Sequence, residues 1–284
     1  MLPNLDEYYR PTTVNAALRL LARGTTRTVA LAGGTALIPS RDASVRAVVD
    51  LSELNLAGAD WEARPVRLGA MTTLQTLTSD PAARVFANGI LAEAARLCAP
   101  RNIRNVATIG GTVVSGGATC DLLTALLALD AQVTVQKNRP RTAAIDDLLE
   151  DRSGNLGAGI LTSVSLPVAS TACGAALLRV ARTPSDAAIV NAAALIVLDG
   201  AVCKRVRLAI GGVSTRAIRA ASIESEMEGL PWDDARAARA AELFAASLAP
   251  PGDFRASSQY RREMAAVVAL RSLRRAWACA QGVL

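Results

Sequence analysis

Arg101-Asn102-Ile103-Arg104-Asn105-Val106-Ala107-Thr108-Ile109-Gly110-Gly111-Thr112, running on to Asp121-Leu122-Leu123, is the stretch whose reading decides the fold. β-Branched residues at Val106, Thr108 and Ile109 predict a strand that ends in a glycine pair. A polar turn follows, Ser115-Gly116-Gly117-Ala118-Thr119, and Asp121 then stands where it can cap a helix over Leu122 to Leu129. A similar cassette lies earlier, at Val29-Ala30-Leu31-Ala32-Gly33-Gly34-Thr35-Ala36-Leu37-Ile38-Pro39. Adjacent glycines carry no side chain to hold a ligand off the backbone, so their N–H groups can face an anion. Two strand–Gly-Gly-Thr turns in one chain therefore point to two loops holding one phosphate-bearing cofactor.

Neither loop is a standard dinucleotide signature. The first lacks the third glycine of the Rossmann pattern, and the second has no Gly-Lys-Ser/Thr ending. Either copy alone reads better as a tight strand-to-helix turn. The pair, with Asp121 after the second copy, carries the functional reading. For Asp121 two roles stay open: an acceptor for a cofactor hydroxyl, or the cap of the following helix.

The composition narrows the classes. A chain of 284 residues is long enough for two modest domains. With 51% hydrophobic but only 3% aromatic residues, its core must be built from Ala, Leu and Val. No apolar run is long enough to span a bilayer, and Asp6, Glu7 and Arg10 argue against a signal peptide, so a soluble cytoplasmic protein is expected. Five scattered cysteines (Cys98, Cys120, Cys173, Cys203, Cys279) form no metal-spaced cluster, and free thiols are expected. The absence of histidine removes a Ser–His triad, a His general base and most zinc sites. The net charge of +6 raises the question of nucleic acid, but the basic residues are spread out and stacking aromatics are few. The densest basic group, Arg261-Arg262 with Arg271, Arg274 and Arg275, reads as a solvated helix face or a face for an acidic partner subunit.

Along the chain, short strands are predicted at Asp6 to Arg10, Thr28 to Ala32, Ala47 to Asp50 and Val66 to Gly69. Helices are predicted from Val14, with Ala17, Leu18 and Leu21 at helical spacing and an end at Gly24, from Gly89 to Ala99, and over Leu122 to Leu129 as core. Asp146-Asp147 and Glu150-Asp151 read as a solvated turn. Strands follow at Ala131 to Gln136, Ile160 to Pro167 and Ala176 to Ala181. Ile189 to Leu198 and Val206 to Ile210 form a hairpin around Asp199-Gly200. Small residues at Val168 to Cys173 mark a boundary, giving domains 1–170 and 171–284.

The two glycine segments resemble the flavin loops of the medium, FAD-binding subunit of molybdenum hydroxylases, the family of xanthine dehydrogenase and aerobic carbon monoxide dehydrogenase. Ala32-Gly33-Gly34-Thr35-Ala36-Leu37-Ile38-Pro39 is similar to that family's first loop, with Ala36 in place of Ser or Thr. Ile103 to Gly111 with Asp121-Leu122 is similar to its second, with Thr112 in place of the usual Asn. Leu68-Gly69-Ala70-Met71-Thr72-Thr73-Leu74, Arg207 to Val213, Arg219-Ala220 and Asp253 to Met264 extend the resemblance over almost the whole chain. Ala187 and Ala188 stand where relatives often carry an aromatic residue beside the flavin ring, and there is no cysteine-rich insertion for a 4Fe–4S cluster.

The resemblance implies an α+β fold. A two-part N-terminal FAD-binding domain, of the vanillyl-alcohol-oxidase-like flavin type, is followed by a smaller C-terminal domain of antiparallel sheet plus helices. It implies FAD contacts at Ala30, Leu31, Ala32, Gly33, Gly34, Thr35, Ala36, Leu37, Thr108, Ile109, Gly110, Gly111, Thr112, Asp121, Leu161 and Arg179. The implied partners are a large subunit holding the molybdenum cofactor and a small subunit with 2Fe–2S clusters, in a dimer of heterotrimers. The implied function is electron transfer from those clusters through FAD to NAD+, a quinone or oxygen, with no acid–base catalyst on this chain. The alternatives are a stand-alone flavin reductase and a scaffold that has lost flavin. A valine at Gly34 or Gly110 is expected to abolish flavin retention while leaving most of the fold intact.

Overall fold

The computed structural model describes residues 2–24, 26–167 and 172–283. It has an α+β fold whose chain gathers into two compact units. The first comprises Met1–Thr76, Arg101–Ser115 and Ala131–Leu166, and the second Leu77–Pro100, Gly116–Asp130 and Pro167–Leu284. Residues 168–171, within the predicted boundary, lie outside the described residues.

In the first unit, strands β1 (Glu7–Tyr9), β2 (Thr28–Leu31) and β3 (Ala47–Asp50) form a parallel sheet in the order β1-β3-β2. All four residues of β3 are buried, as a central parallel strand covered on both faces requires. The helix Val14–Leu21 starts at Thr13, whose hydroxyl accepts the Ala16 N–H, and its Ala17 packs with Val49, Leu51 and Leu54. A second sheet is antiparallel. It contains β4 (Ala59–Asp60), β5 (Val66–Gly69), β6 (Gln132–Gln136), β7 (Pro140–Ala144) and β8 (Ile160–Leu166), in the order β4-β5-β8-β6-β7.

Two sequence expectations differ from the fold of this unit. The second Gly-Gly-Thr does not follow a strand: Ile109–Ser115 is a helix that contains Gly110 and Gly111, and an isolated bridge between Thr73 and Thr108 is what remains of the strand expected over Val106 to Ile109. Nor are Asp146, Asp147 and Glu150 a turn. They lie on the helix Ile145–Glu150, where Ile145, Leu148 and Leu149 are buried at the spacing of one helical face.

In the second unit, β9 (Cys173–Val180), β10 (Val190–Asp199), β11 (Val202–Gly211) and β12 (Ile218–Arg219) form an antiparallel sheet in the order β12-β11-β10-β9. The predicted hairpin is there, with Asp199 paired to Val202 and Gly200 at φ +61° in the turn. The helix Ser258–Ala280 packs on β9 and β10, and the helix Asp121–Ala128, buried along its whole length, packs on β10 and β11. Arg261 is not part of a solvated face. It is 2% exposed, and its guanidinium donates to the carbonyls of Ile189 (2.6 Å) and Gly212 (3.1 Å) and to Asp253 (2.7 Å).

Candidate functional site

The first Gly-Gly-Thr is a turn with unengaged amides. Ala30 and Leu31 close β2, Ala32 to Ala36 form the turn, and Leu37 opens the short helix Leu37–Ser40. Gly34 is left-handed at φ +71°, and its carbonyl accepts the Ile38 N–H at 2.9 Å. Among the described residues, the N–H groups of Gly33, Gly34, Thr35 and Ala36 have no hydrogen-bond acceptor. Gly33, Gly34 and Thr35 are half-buried and Ala36 is exposed, so these donors are open to solvent or to a ligand. Consecutive unpaired donors in such a turn suit an anion.

The second Gly-Gly-Thr has its donors engaged. The Ile109 N–H donates to the Thr72 carbonyl (2.9 Å) and Gly110 N–H to the Ala70 carbonyl (2.8 Å). Gly111 N–H donates to the Thr108 hydroxyl oxygen (3.0 Å), and Thr112 sends both its N–H and its hydroxyl to the Thr108 carbonyl, each at 2.9 Å. The sequence reading offers the amides of this glycine pair to an anion; in the fold they start a helix instead.

The two segments touch. A Cβ at Gly33 would fall 1.8 Å from the Val106 carbonyl oxygen, and one at Gly111 would stand 3.8 Å from the Ala32 Cβ. Their meeting lines a cleft of about 100 Å³, whose walls include Ala30, Ala32, Gly110, Gly111, Ile160 and Leu161. The lining is small or apolar throughout, the kind of surface that buries an apolar ring system. Five of the sixteen sequence-derived residues come together there, and Ala70, Val114 and Gly159 join them without having been singled out.

In the second unit, Asp121 and Arg179, named separately from the resemblance, are brought together in an arrangement the sequence does not show. Asp121 is the first residue of its helix, preceded by Cys120, and its carboxylate caps nothing. One oxygen accepts from Arg179 at 2.9 Å and the other from the Asn191 amide at 2.7 Å. Asn191 also donates to the Thr119 carbonyl (3.1 Å) and accepts from the Thr124 hydroxyl (2.9 Å). Arg179 donates to the Pro184 carbonyl as well. Burial pushes the Asp121 carboxyl above its usual range, and the bond from Asn191 and the charge of Arg179 counter it only in part. Sequence reasoning misses Asn191, though a lone amide inside the apolar run Ile189 to Leu198 is the signal that could find it.

Residues 4–169 match the family described as the FAD binding domain in molybdopterin dehydrogenase, and residues 175–276 match the CO dehydrogenase flavoprotein C-terminal domain. The carbon monoxide dehydrogenase medium chain of Hydrogenophaga pseudoflava is 29% identical, covering 98% of this chain and 99% of its own length. The 6-hydroxypseudooxynicotine dehydrogenase complex subunit alpha of Paenarthrobacter nicotinovorans is 31% identical, with 97% and 96% covered. Among solved structures, the carbon monoxide dehydrogenase of Hydrogenophaga pseudoflava lacking the Mo-pyranopterin moiety superposes with a TM-score of 0.89 at 28% identity, covering 98% of this chain and 99% of that one. Quinoline 2-oxidoreductase from Pseudomonas putida 86 follows at 0.86 and 26%, covering 100% and 99%. With one open and one engaged glycine turn around an apolar cleft, and these matches along nearly its full length, the chain belongs to the family of FAD-binding flavoprotein subunits of molybdopterin-dependent oxidoreductases.

Proposed function

We propose that this chain is the electron-transfer subunit of a molybdenum-containing hydroxylase or dehydrogenase. It accepts electrons from 2Fe–2S clusters on a small partner subunit and passes them to NAD+, a quinone or oxygen. The large partner holds the molybdenum cofactor, and the assembly is a dimer of heterotrimers in the cytoplasm. Similarity to medium chains of multi-subunit dehydrogenases supports the partners, and among the described residues no helix is long and apolar enough to cross a membrane. The family matches at 4–169 and 175–276 support a division into domains 1–170 and 171–284.

The observation that carries the reading is the run of unpaired N–H groups at Gly33, Gly34, Thr35 and Ala36 beside a cleft lined by small and aliphatic residues. FAD fits that chemistry, and when bound it supplies the ring that takes up and gives off electrons. The open amides hold the pyrophosphate. Ala30, Ala32, Gly111 and Leu161 give an apolar wall. Thr108, Ile109 and Thr112 act one step back, by fixing the helix start that sets Gly110 and Gly111 in that wall. Leu31 and Leu37 anchor the open turn at its two ends. Asp121 keeps carboxylate lone pairs beyond those engaged by Asn191 and Arg179, and these accept a cofactor hydroxyl. No residue of this chain is assigned acid–base work.

The test is a visible spectrum of the purified chain, before and after titration with FAD. Bands at about 370 and 450 nm are expected for bound oxidised flavin. A chain that neither carries FAD nor binds it, alone or with its partner subunits, overturns the proposal.

A further inference from the structure

Two of the five cysteines are in contact. Cys98 ends the helix Ile90–Cys98, Cys120 precedes the helix Asp121–Ala128, and their Sγ atoms lie 3.7 Å apart. Both residues are half-buried, and their sulfurs face each other rather than solvent. The remaining thiols are placed differently: Cys203 is fully buried on β11, and burial pushes both Cys173 and Cys203 up. The two members of the pair are not equivalent. The Cys98 S–H bond lowers the Cys120 thiol, and the N–H groups of Leu123 and Leu122, at the start of the helix, add to that against burial and the Asp121 charge. Its bond to Cys120, together with burial, pushes Cys98 well up.

We infer that Cys98 and Cys120 form a peroxide-reactive dithiol, with Cys120 the attacking thiolate and Cys98 the resolving thiol. The Cys120 sulfur attacks one oxygen of hydrogen peroxide, the O–O bond breaks, and a sulfenic acid forms as hydroxide leaves and is protonated to water. The Cys98 sulfur then attacks the Cys120 sulfur. The S–S bond forms, the S–O bond breaks, and the second oxygen leaves as water with the Cys98 proton. Two thiols give up two electrons and two protons, and one peroxide becomes two waters. A disulfide needs its sulfurs about 2.0 Å apart, so the gap to close is small.

The oxidised link has a definite place in the unit. Cys120 lies between Thr119, whose carbonyl holds the Asn191 amide, and Asp121, whose carboxylate holds Arg179 and Asn191. Drawing Cys120 toward Cys98 therefore acts on the buried network that positions Asp121 and Arg179. The inference does not depend on flavin binding, because every group in it belongs to this chain.

The full-length chain, as purified, is exposed to a few-fold excess of hydrogen peroxide, blocked with iodoacetamide and digested without reductant. Mass spectrometry is expected to find the Cys98–Cys120 peptide link, with free thiols falling from five to three and returning on treatment with dithiothreitol. C98S is expected to stop at the sulfenic acid, trapped on Cys120 by dimedone, and C120S to give no adduct at position 98. The inference is overturned if all five thiols still alkylate after peroxide, if the link runs through Cys173 or Cys279, or if the two sulfurs oxidise separately to sulfinic acids. Should either variant fail to fold, the disulfide map of the unmodified chain decides alone.

Discussion

Gly-Gly-Thr occurs at 33–35 and again at 110–112, and the two copies use the same atoms in opposite ways. In the first, a strand ends, the chain turns through a left-handed glycine, and the amides of residues 33–36 are left without acceptors. In the second, every amide from Ile109 to Thr112 is engaged, by Thr72, Ala70 or Thr108, and the segment is helical. One copy is a binding turn and the other is the brace that lets it exist. Gly33 can sit where it does because Val106, in the approach to the second copy, presents a carbonyl to a residue with no Cβ. A glycine motif is thus defined by what its N–H groups already bond, which composition does not reveal.

The largest effect is expected from adding one methyl group where the two copies meet. In Gly33→Ala the new Cβ would overlap the Val106 carbonyl oxygen at 1.8 Å, and backbone cannot move aside as a side chain can. A loss of about 3 kcal/mol or more in urea denaturation is expected, beyond ordinary overpacking. Gly110→Ala, 2.7 Å from the Ala70 Cβ and 2.8 Å from its carbonyl oxygen, should cost about 1–3 kcal/mol. The intact fold expected for a valine at Gly110 is therefore withdrawn. A wild-type midpoint for Gly33→Ala would break the claim that the loops touch.

A middle-sized effect sharpens the contrast in hydrogen bonding. Thr108→Val keeps shape and removes the acceptor of the Gly111 N–H, and should destabilise by about 1–2 kcal/mol. Thr35→Val, in the open turn, should stay within about 0.5 kcal/mol of wild type. Equal losses in the two variants would erase the distinction.

Gly111→Ala should have the smallest effect on stability and a clear effect on binding. Its Cβ would meet Ala32 Cβ at an ordinary 3.8 Å but Thr108 Oγ1 at 3.0 Å, so that hydroxyl must shift by a few tenths of an ångström, a cost that the helix preference of alanine over glycine, about 0.5–1 kcal/mol, offsets. It narrows the cleft, however, and FAD affinity measured by fluorescence titration should fall roughly tenfold, about 1.4 kcal/mol. Unchanged affinity would remove Gly111 from the site.

Much of the molecule is legible from sequence, wherever local chemistry decides. The Asp199-Gly200 hairpin, the apolar helix after Asp121 and the strand before Gly33 each announce themselves by periodicity and turn residues. The helix at Ile109 does not. β-Branched residues and a glycine pair favour extended backbone or a turn, and the bonds that overrule them come from Ala70 and Thr72, far off in sequence. Arg261 misleads for a related reason. An arginine among arginines on a helix looks solvated, yet its guanidinium is spent on the carbonyls of Ile189 and Gly212, some fifty to seventy positions away in the chain. Asp121 stands out in the sequence as a residue that matters, but its partners Arg179 and Asn191 face each other across β9 and β10, a register no local rule provides.

The unequal amides have a kinetic consequence. Among the described residues, the backbone protons of 33–36 have no acceptor, so in the flavin-free chain they should exchange with deuterated solvent at the rate their exposure permits, half-buried at 33–35 and open at Ala36. Those of residues 109–112 must wait for their helix and its tertiary bonds to open. Adding FAD should slow the first set sharply and leave the second nearly untouched. Deuterium uptake would then report occupancy of the phosphate turn residue by residue, including in a complex whose other cofactors mask the flavin's colour.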